Sequence, residues 1–207
     1  MRVGTRLLQS RNWAMKKAII TIATVLVWLV SVHAYAGQID EFRFGGTWAQ
    51  PDALDNDHPE NDQVGVVAEL LFTPVNIDLF GIADDRTSGY LYNLMNPRPH
   101  LGAMINFDDD GTSYAYAGFT WHHRLGEVLF FESAFGISVN NGEENPTSSN
   151  RADLGSNVMF HESIGLGANL TEDMTIVLAI EHLSHAGLFD SDNRGLTNAS
   201  LRLGKKF

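Results

Sequence analysis

The chain has no cysteine in its 207 residues, so it can hold neither a disulfide framework nor a thiolate nucleophile nor a zinc-thiolate site. Basic residues are also scarce once the first 36 positions are set aside. Of fourteen Lys and Arg, five (Arg2, Arg6, Arg11, Lys16, Lys17) fall in that segment, which contains no acid. The nine that remain face 25 Asp and Glu, a net charge of −16. A polyanion such as nucleic acid is excluded as a partner by that balance. Sustained helical periodicity is missing as well: beyond residue 36, apolar residues recur in short alternating runs divided by Asp, Asn, Gly and Pro clusters.

What the first 36 residues do contain is an ordered pattern. Lys16-Lys17 precedes the uncharged run 18–36, which ends in Ala34-Tyr35-Ala36. A basic flank, an apolar stretch and a small-x-small ending predict an export signal cleaved after Ala36, leaving residues 37–207 as one domain.

Eight alternating runs are predicted as strands: 39–49, 64–73, 100–107, 112–124, 128–140, 157–170, 174–185 and 196–207. Residues 76–97 carry apolar side chains without a clean period and read as a long connection or a short helix. In 157–170 the parity is clear. Val158, Phe160, Ile164, Leu166, Ala168 and Leu170 share one face, and His161, Ser163, Gly165, Gly167 and Asn169 the other. An even number of antiparallel strands, tight turns alternating with longer polar loops, and a terminal aromatic, Phe207, together predict an all-β, eight-stranded antiparallel transmembrane β-barrel in the outer membrane. A soluble sandwich or lipocalin-like barrel is the alternative for the alternation by itself.

Within 174–185, His182 and Ser184 lie two residues apart and therefore on the face of Ile176, Leu178 and Ile180. An imidazole beside a hydroxyl is the minimum set for acyl transfer through an activated serine. The plainer reading is a strand-end pair facing water or lipid headgroups. With both termini periplasmic, the pair falls at the outer-leaflet end of a lipid-facing stripe, where a polar pair is unfavourable unless it has work to do. The lipid of that leaflet is the substrate delivered there.

These residues resemble a known family, the outer-membrane lipid A 3-O-deacylases. The resemblance runs from Arg98-Pro99-His100-Leu101-Gly102 through Phe130-Phe131-Glu132-Ser133-Ala134-Phe135-Gly136 and Leu154-Gly155-Ser156, with Phe160 and Ile164-Gly165. It is most specific in His182-Leu183-Ser184-x-Ala186-Gly187-Leu188 followed by Asn193-x-Gly195-Leu196. It implies an eight-stranded barrel with its serine hydrolase site on the outer surface, His182 as general base, Ser184 as nucleophile, and Asn193 with Gly187 holding the oxyanion. The implied partner is lipid A of lipopolysaccharide, with no cofactor and no metal; a homodimer is compatible with it. Two positions depart from the family pattern: Thr197 stands where the family has a Glu, and His185 follows the nucleophile in place of Asn. Loss of the acid makes a catalytically weakened or inactive surface barrel the competing reading.

Three carboxylates are candidates to replace that acid. If 171–173 closes a three-residue turn, Glu162 stands across from His182 and on its face, with Cβ atoms about 5 Å apart; a two-residue turn would put His161 there instead. Asp190 and Asp192 on the following loop are the other two. Arg151 and Arg194 are placed on outer loops, as contacts for lipid phosphates or as solvated charges. His122-His123, being adjacent, point to opposite faces and do not make a shared metal site, and Asp108-Asp109-Asp110-Gly111 reads as a turn rather than a calcium loop.

The mature protein is expected in the outer-membrane fraction with heat-modifiable migration and an N-terminus at Gly37 by Edman sequencing. Recovery of the full-length chain in the inner membrane would contradict the export reading.

Overall fold

The structure is a computed structural model, and it describes residues 39–49, 63–74, 94–108, 111–142, 154–188 and 195–207. Eight antiparallel strands form a closed barrel in chain order: β1 (Ile39–Ala49), β2 (Gln63–Phe72), β3 (Arg98–Asn106), β4 (Tyr114–Arg124), β5 (Leu129–Asn140), β6 (Val158–Asn169), β7 (Met174–Ser184) and β8 (Leu196–Lys206). Pairing of β1 with β8 closes the sheet, so no edge is left with unpaired backbone groups. The eight expected runs all become strands. The largest boundary shifts are of two residues: β3 begins early at Arg98, with Arg98 and Pro99 paired opposite Thr120 and Phe119, and β4 begins late at Tyr114. Of the uncertain stretch 76–97, the structure describes residues 94–97. Leu94 and Met95 form a helical turn, and the Leu94 carbonyl accepts a hydrogen bond from Trp121 Nε1 at 3.0 Å.

Strict alternation sorts the side chains. Phe44, Phe135, Ile137, Ile164, Leu166, Leu178, Ile180, Leu201 and Leu203 face outward and are roughly half exposed, an apolar belt suited to lipid. The inward positions carry charge, and each charge is paired. Arg43 donates to Glu132 at 2.6 and 2.9 Å and to Glu41 at 2.9 and 3.0 Å. Arg98 donates to the same Glu41 at 3.1 Å, and Thr175 Oγ1 at 2.5 Å. One layer further along the barrel, Arg202 pairs with Glu181 and with Glu69, the latter at 3.2 Å, and Tyr114 donates its hydroxyl proton to Glu181 at 3.0 Å. Above these, Val67, Met104, Tyr116, Leu154, Met159 and Leu183 close the interior with an apolar plug. The interior is thus packed with side chains, as in the smallest barrels, and is not a channel.

His122 and His123 point apart, as adjacent strand residues must. The former meets Glu132 at 3.0 Å inside, and the latter lies against Phe131 outside. Gly111 N donates to the Asp108 carbonyl at 3.0 Å, closing a turn whose two central residues lie outside the described set.

Residues 171–173 form the three-residue turn on which the β6–β7 register depends. Leu170 N donates to the Met174 carbonyl at 2.9 Å, and Met174 N donates to Thr171 Oγ1 at 3.1 Å. Hydrogen bonds from Lys205 and Thr171 hold the Asp173 carboxyl below the usual carboxylate range. Both ends of the barrel chain lie at this turn's end, since Lys206 N donates to the Asp173 carbonyl at 2.8 Å and Phe207 N to that of Asp40 at 3.0 Å.

Removing Arg43 would leave Glu41 and Glu132 short of their main cationic partner in a buried layer. Arg43→Ala is therefore expected to lower the unfolding free energy by about 3–5 kcal/mol, read from urea unfolding in lipid vesicles. A loss under about 1 kcal/mol, typical of a surface pair, would show that the ion layer does not hold the barrel.

Candidate active site

Parity places His182 and Ser184. On β7 the odd residues Thr175, Val177, Ala179, Glu181 and Leu183 are buried, and the even residues Leu178 and Ile180 are exposed. His182 and Ser184 continue that outward stripe and are half-buried among their neighbours. They sit at the end of the barrel opposite the 171–173 turn.

The ladder then assigns their neighbours. On one side, β6 sets Glu162 across from His182 and Phe160 across from Ser184. On the other, β8 sets Thr197 across from His182. The imidazole is engaged from the β8 side: His182 Nδ1 and Thr197 Oγ1 are 2.9 Å apart. Glu162 stands beside it on the opposite flank, exposed, and in this geometry is not the hydrogen-bonded partner of the ring. Thr197 thus occupies the ring nitrogen at which a carboxylate could otherwise be bonded. A carboxylate can only accept there and would hold the proton on Nδ1. A hydroxyl both donates and accepts, so Thr197 fits either tautomer. Between His182 and Ser184 themselves there is no hydrogen bond; they share a face and a strand end, with Nε2 as the uncommitted ring nitrogen.

Beyond Ser184 the chain turns sharply. Leu188 N donates to the His185 carbonyl at 3.0 Å, and the two central residues, Ala186 (φ 52°) and Gly187 (φ 71°), are both left-handed. That is the type I′ arrangement. Ala186 holds a conformation costing a non-glycine residue about 1–2 kcal/mol, and strain of this kind concentrates where backbone must be presented in one orientation. Gly195 (φ +69°) returns the chain into β8, and a Cβ built on it would lie 2.8 Å from His182 Cε1. Below the pair, Ile164 and Ile180 (54% and 51% exposed) continue the apolar surface, and Phe135 stacks on Phe160 at 5.7 Å.

Of the residues singled out from the sequence, His182, Ser184, Glu162 and Gly187 come together at one barrel end. Asn193, Arg151, Arg194, Asp190 and Asp192 lie outside the described residues. Sequence reasoning missed Thr197 as the bonded partner of the imidazole and Gly195 as its packing surface. Both follow from the β7–β8 register, which a loop too long to count across had hidden. Among the described residues, no three or more His, Asp or Glu side chains converge as a metal site.

A closed eight-stranded barrel with an apolar belt, a paired polar interior and a His/Ser pair on its outer face defines an outer-membrane barrel with an external polar site. Comparison with known proteins adds the family. The family model described as lipid A 3-O-deacylase (PagL) matches residues 75–206, and the chain belongs to that family. Among solved structures, the crystal structure of the outer membrane enzyme PagL is 16% identical, covering 81% of this chain and 99% of its own, with a TM-score of 0.51. This supports the fold. The N-terminal β-barrel domain of Pseudomonas aeruginosa OprF (14% identical, 82% and 99% covered, TM-score 0.47) and Ail of Yersinia pestis (11%, 82% and 99%, TM-score 0.44) are also similar. No curated protein matches. The protein is an outer-membrane β-barrel.

Replacing Ala186 by glycine removes a left-handed non-glycine residue without touching the turn's hydrogen bond. Ala186→Gly is expected to leave the urea midpoint unchanged or to raise it, by up to about 1 kcal/mol of stability. A clear fall in the midpoint would mean that the Ala186 side chain contributes packing that outweighs the strain.

Proposed function

We propose that the protein is a lipid A 3-O-deacylase, a serine esterase that hydrolyses the 3-linked acyl ester of lipid A in the outer leaflet. The observation that carries this reading is the position of His182 and Ser184. In a barrel of the lipid A 3-O-deacylase family, they are an imidazole and a hydroxyl at one end of an otherwise apolar outward stripe on β7. Polar groups on a lipid face are unfavourable unless they act there. In the proposed topology the segment 1–36 is the export signal, the 171–173 turn is periplasmic, and Ser184 meets the outer-leaflet headgroups.

In the proposed reaction, Ser184 Oγ attacks the ester carbonyl carbon while His182 Nε2 takes the hydroxyl proton. The carbonyl π electrons move onto oxygen, and the backbone N–H of Gly187 and the side-chain amide of Asn193 receive that oxyanion. Collapse breaks the bond to the sugar 3-oxygen, which leaves with the proton from the imidazolium. Water then repeats the sequence on the acyl-serine, releasing the fatty acid and restoring Ser184. Thr197 orients the ring through Nδ1, and Glu162, across the β6–β7 ladder, supplies the negative charge that favours the imidazolium. Arg151 and Arg194 contact the lipid A phosphates. No step requires a metal or cofactor.

One observation favours a second reading, a catalytically weakened or inactive surface barrel: the His182 ring is bonded by a neutral hydroxyl, that of Thr197, where the sequence resemblance implies an acid. Mass spectrometry of lipid A from cells expressing the chain separates the two. The wild-type chain is expected to remove one 3-linked hydroxyacyl group, and Ser184→Ala to remove none. Glu162→Gln is expected to slow the reaction about ten- to a hundredfold, a smaller loss than removing a directly bonded triad acid. Intact lipid A with the wild-type chain, or a full rate in Ser184→Ala, would overturn the serine mechanism. An unchanged rate in Glu162→Gln with a strong gain in Thr197→Glu would favour the weakened-enzyme reading.

A further inference from the structure

The imidazole of His182 is held at two places. Thr197 engages Nδ1 from the neighbouring strand at 2.9 Å. The adjoining Cε1–Nε2 edge of the ring lies over Gly195, where an added Cβ would meet Cε1 at 2.8 Å, the Leu183 carbonyl oxygen at 2.9 Å and Nε2 at 3.2 Å. Contacts this short require the neighbour to move, and two of the three atoms belong to the ring. Gly195 is buried and left-handed at φ +69°. It lies one step beyond the last paired residues of the β7–β8 ladder, Leu183 and Leu196, and therefore beside Ser184 rather than beside His182. The ring accordingly extends from its own row toward the row of the hydroxyl, and the space that admits Nε2 there is the space left by the missing side chain.

We propose that Gly195 is a positioning residue for the reaction: the absence of its Cβ lets the His182 imidazole adopt the orientation that directs Nε2 toward Ser184, with Thr197 fixing the other end. This rests on the serine reading given above. Glycine serves two needs at once, left-handed backbone and an empty Cβ position. Asparagine tolerates the first and violates the second, so Gly195→Asn isolates the steric component if Gly195→Ala does not fold.

The test measures Ser184 reactivity and does not depend on lipid A turnover. The purified barrel in detergent is treated with a fluorophosphonate probe. Ser184 Oγ bonds to phosphorus, the P–F bond breaks, fluoride leaves, and the hydroxyl proton passes to the imidazole. Wild-type protein is expected to be labelled and Ser184→Ala not. Gly195→Ala and Gly195→Asn should be labelled about ten- to a hundredfold more slowly at saturating probe, with little change in the half-saturating concentration, as for a sub-ångström to ångström misplacement of a catalytic group. In parallel, the shift in urea midpoint caused by Gly195→Ala should be smaller in a His182→Ala background, where the ring is gone. Wild-type labelling rates in both Gly195 variants, or a midpoint shift that is the same with and without the imidazole, would overturn the positioning role while leaving the serine reading intact. Equal labelling of wild type and Ser184→Ala, or none of wild type, would overturn both.

Discussion

The ion pair between Arg202 and Glu181, buried inside the barrel, decides which way β7 faces. Glu181 is surrounded by Arg202, the Tyr114 hydroxyl and His161. An unpaired carboxylate facing hydrocarbon would be far costlier than the pair is favourable, so a one-residue slip of β7 is forbidden by several kcal/mol. Because side chains alternate, fixing Glu181 inward fixes its two outward neighbours, Ile180 and His182, and with them Ser184. The external polar site is thus specified by an internal charge. Arg43 does the same for β1 and β5 through Glu41 and Glu132, and the two layers together hold the register of most of the sheet.

Against that rigid frame, the imidazole of His182 is bonded by a neutral hydroxyl and not by a carboxylate. A directly bonded carboxylate would set the tautomer and stabilise the charged ring through the same contact. Here the two tasks are divided: Thr197 meets Nδ1, and the nearest carboxylate in the ladder, Glu162, is on the other flank and exposed. An exposed charge is screened by water and ions. For the proposed deacylase, the division predicts a slower reaction than a bonded acid would give, in a setting where lipid headgroups in place of bulk water would raise the worth of the Glu162 charge.

Much of this was legible in the sequence, for reasons that can be named. Period-two alternation in segments such as Val158–Asn169 is a direct image of lipid on one side and a polar interior on the other, so the strands and their number could be read. The three-residue turn at 171–173 let the β6–β7 register be counted, and the count placed Glu162 opposite His182, as the ladder has it. The β7–β8 register could not be counted, because the connection at 185–195 is long. Thr197 was consequently seen as a substituted position but not as the bonded partner of Nδ1. Nothing in composition or spacing marks Ala186 as left-handed or Gly195 as the residue under the ring; such features depend on how two strand ends converge, which no local pattern encodes. Nor did the alternation reveal how the interior charges pair, since side chains from β1, β5 and β3 meet at Glu41 and Arg43 from distant parts of the chain.

The central claim is that His182 and Ser184 face the membrane and not the interior. The chain has no cysteine, so His182→Cys, Leu183→Cys and Ser184→Cys can each carry a single nitroxide in vesicles, and collision with oxygen and with a water-soluble nickel chelate can be measured by electron paramagnetic resonance. The account predicts mobile labels accessible to oxygen at 182 and 184, and an immobilised, inaccessible label at 183. Accessibility at 183 with immobilised labels at 182 and 184 would contradict it, because the pair would then lie inside the barrel, out of reach of any membrane lipid.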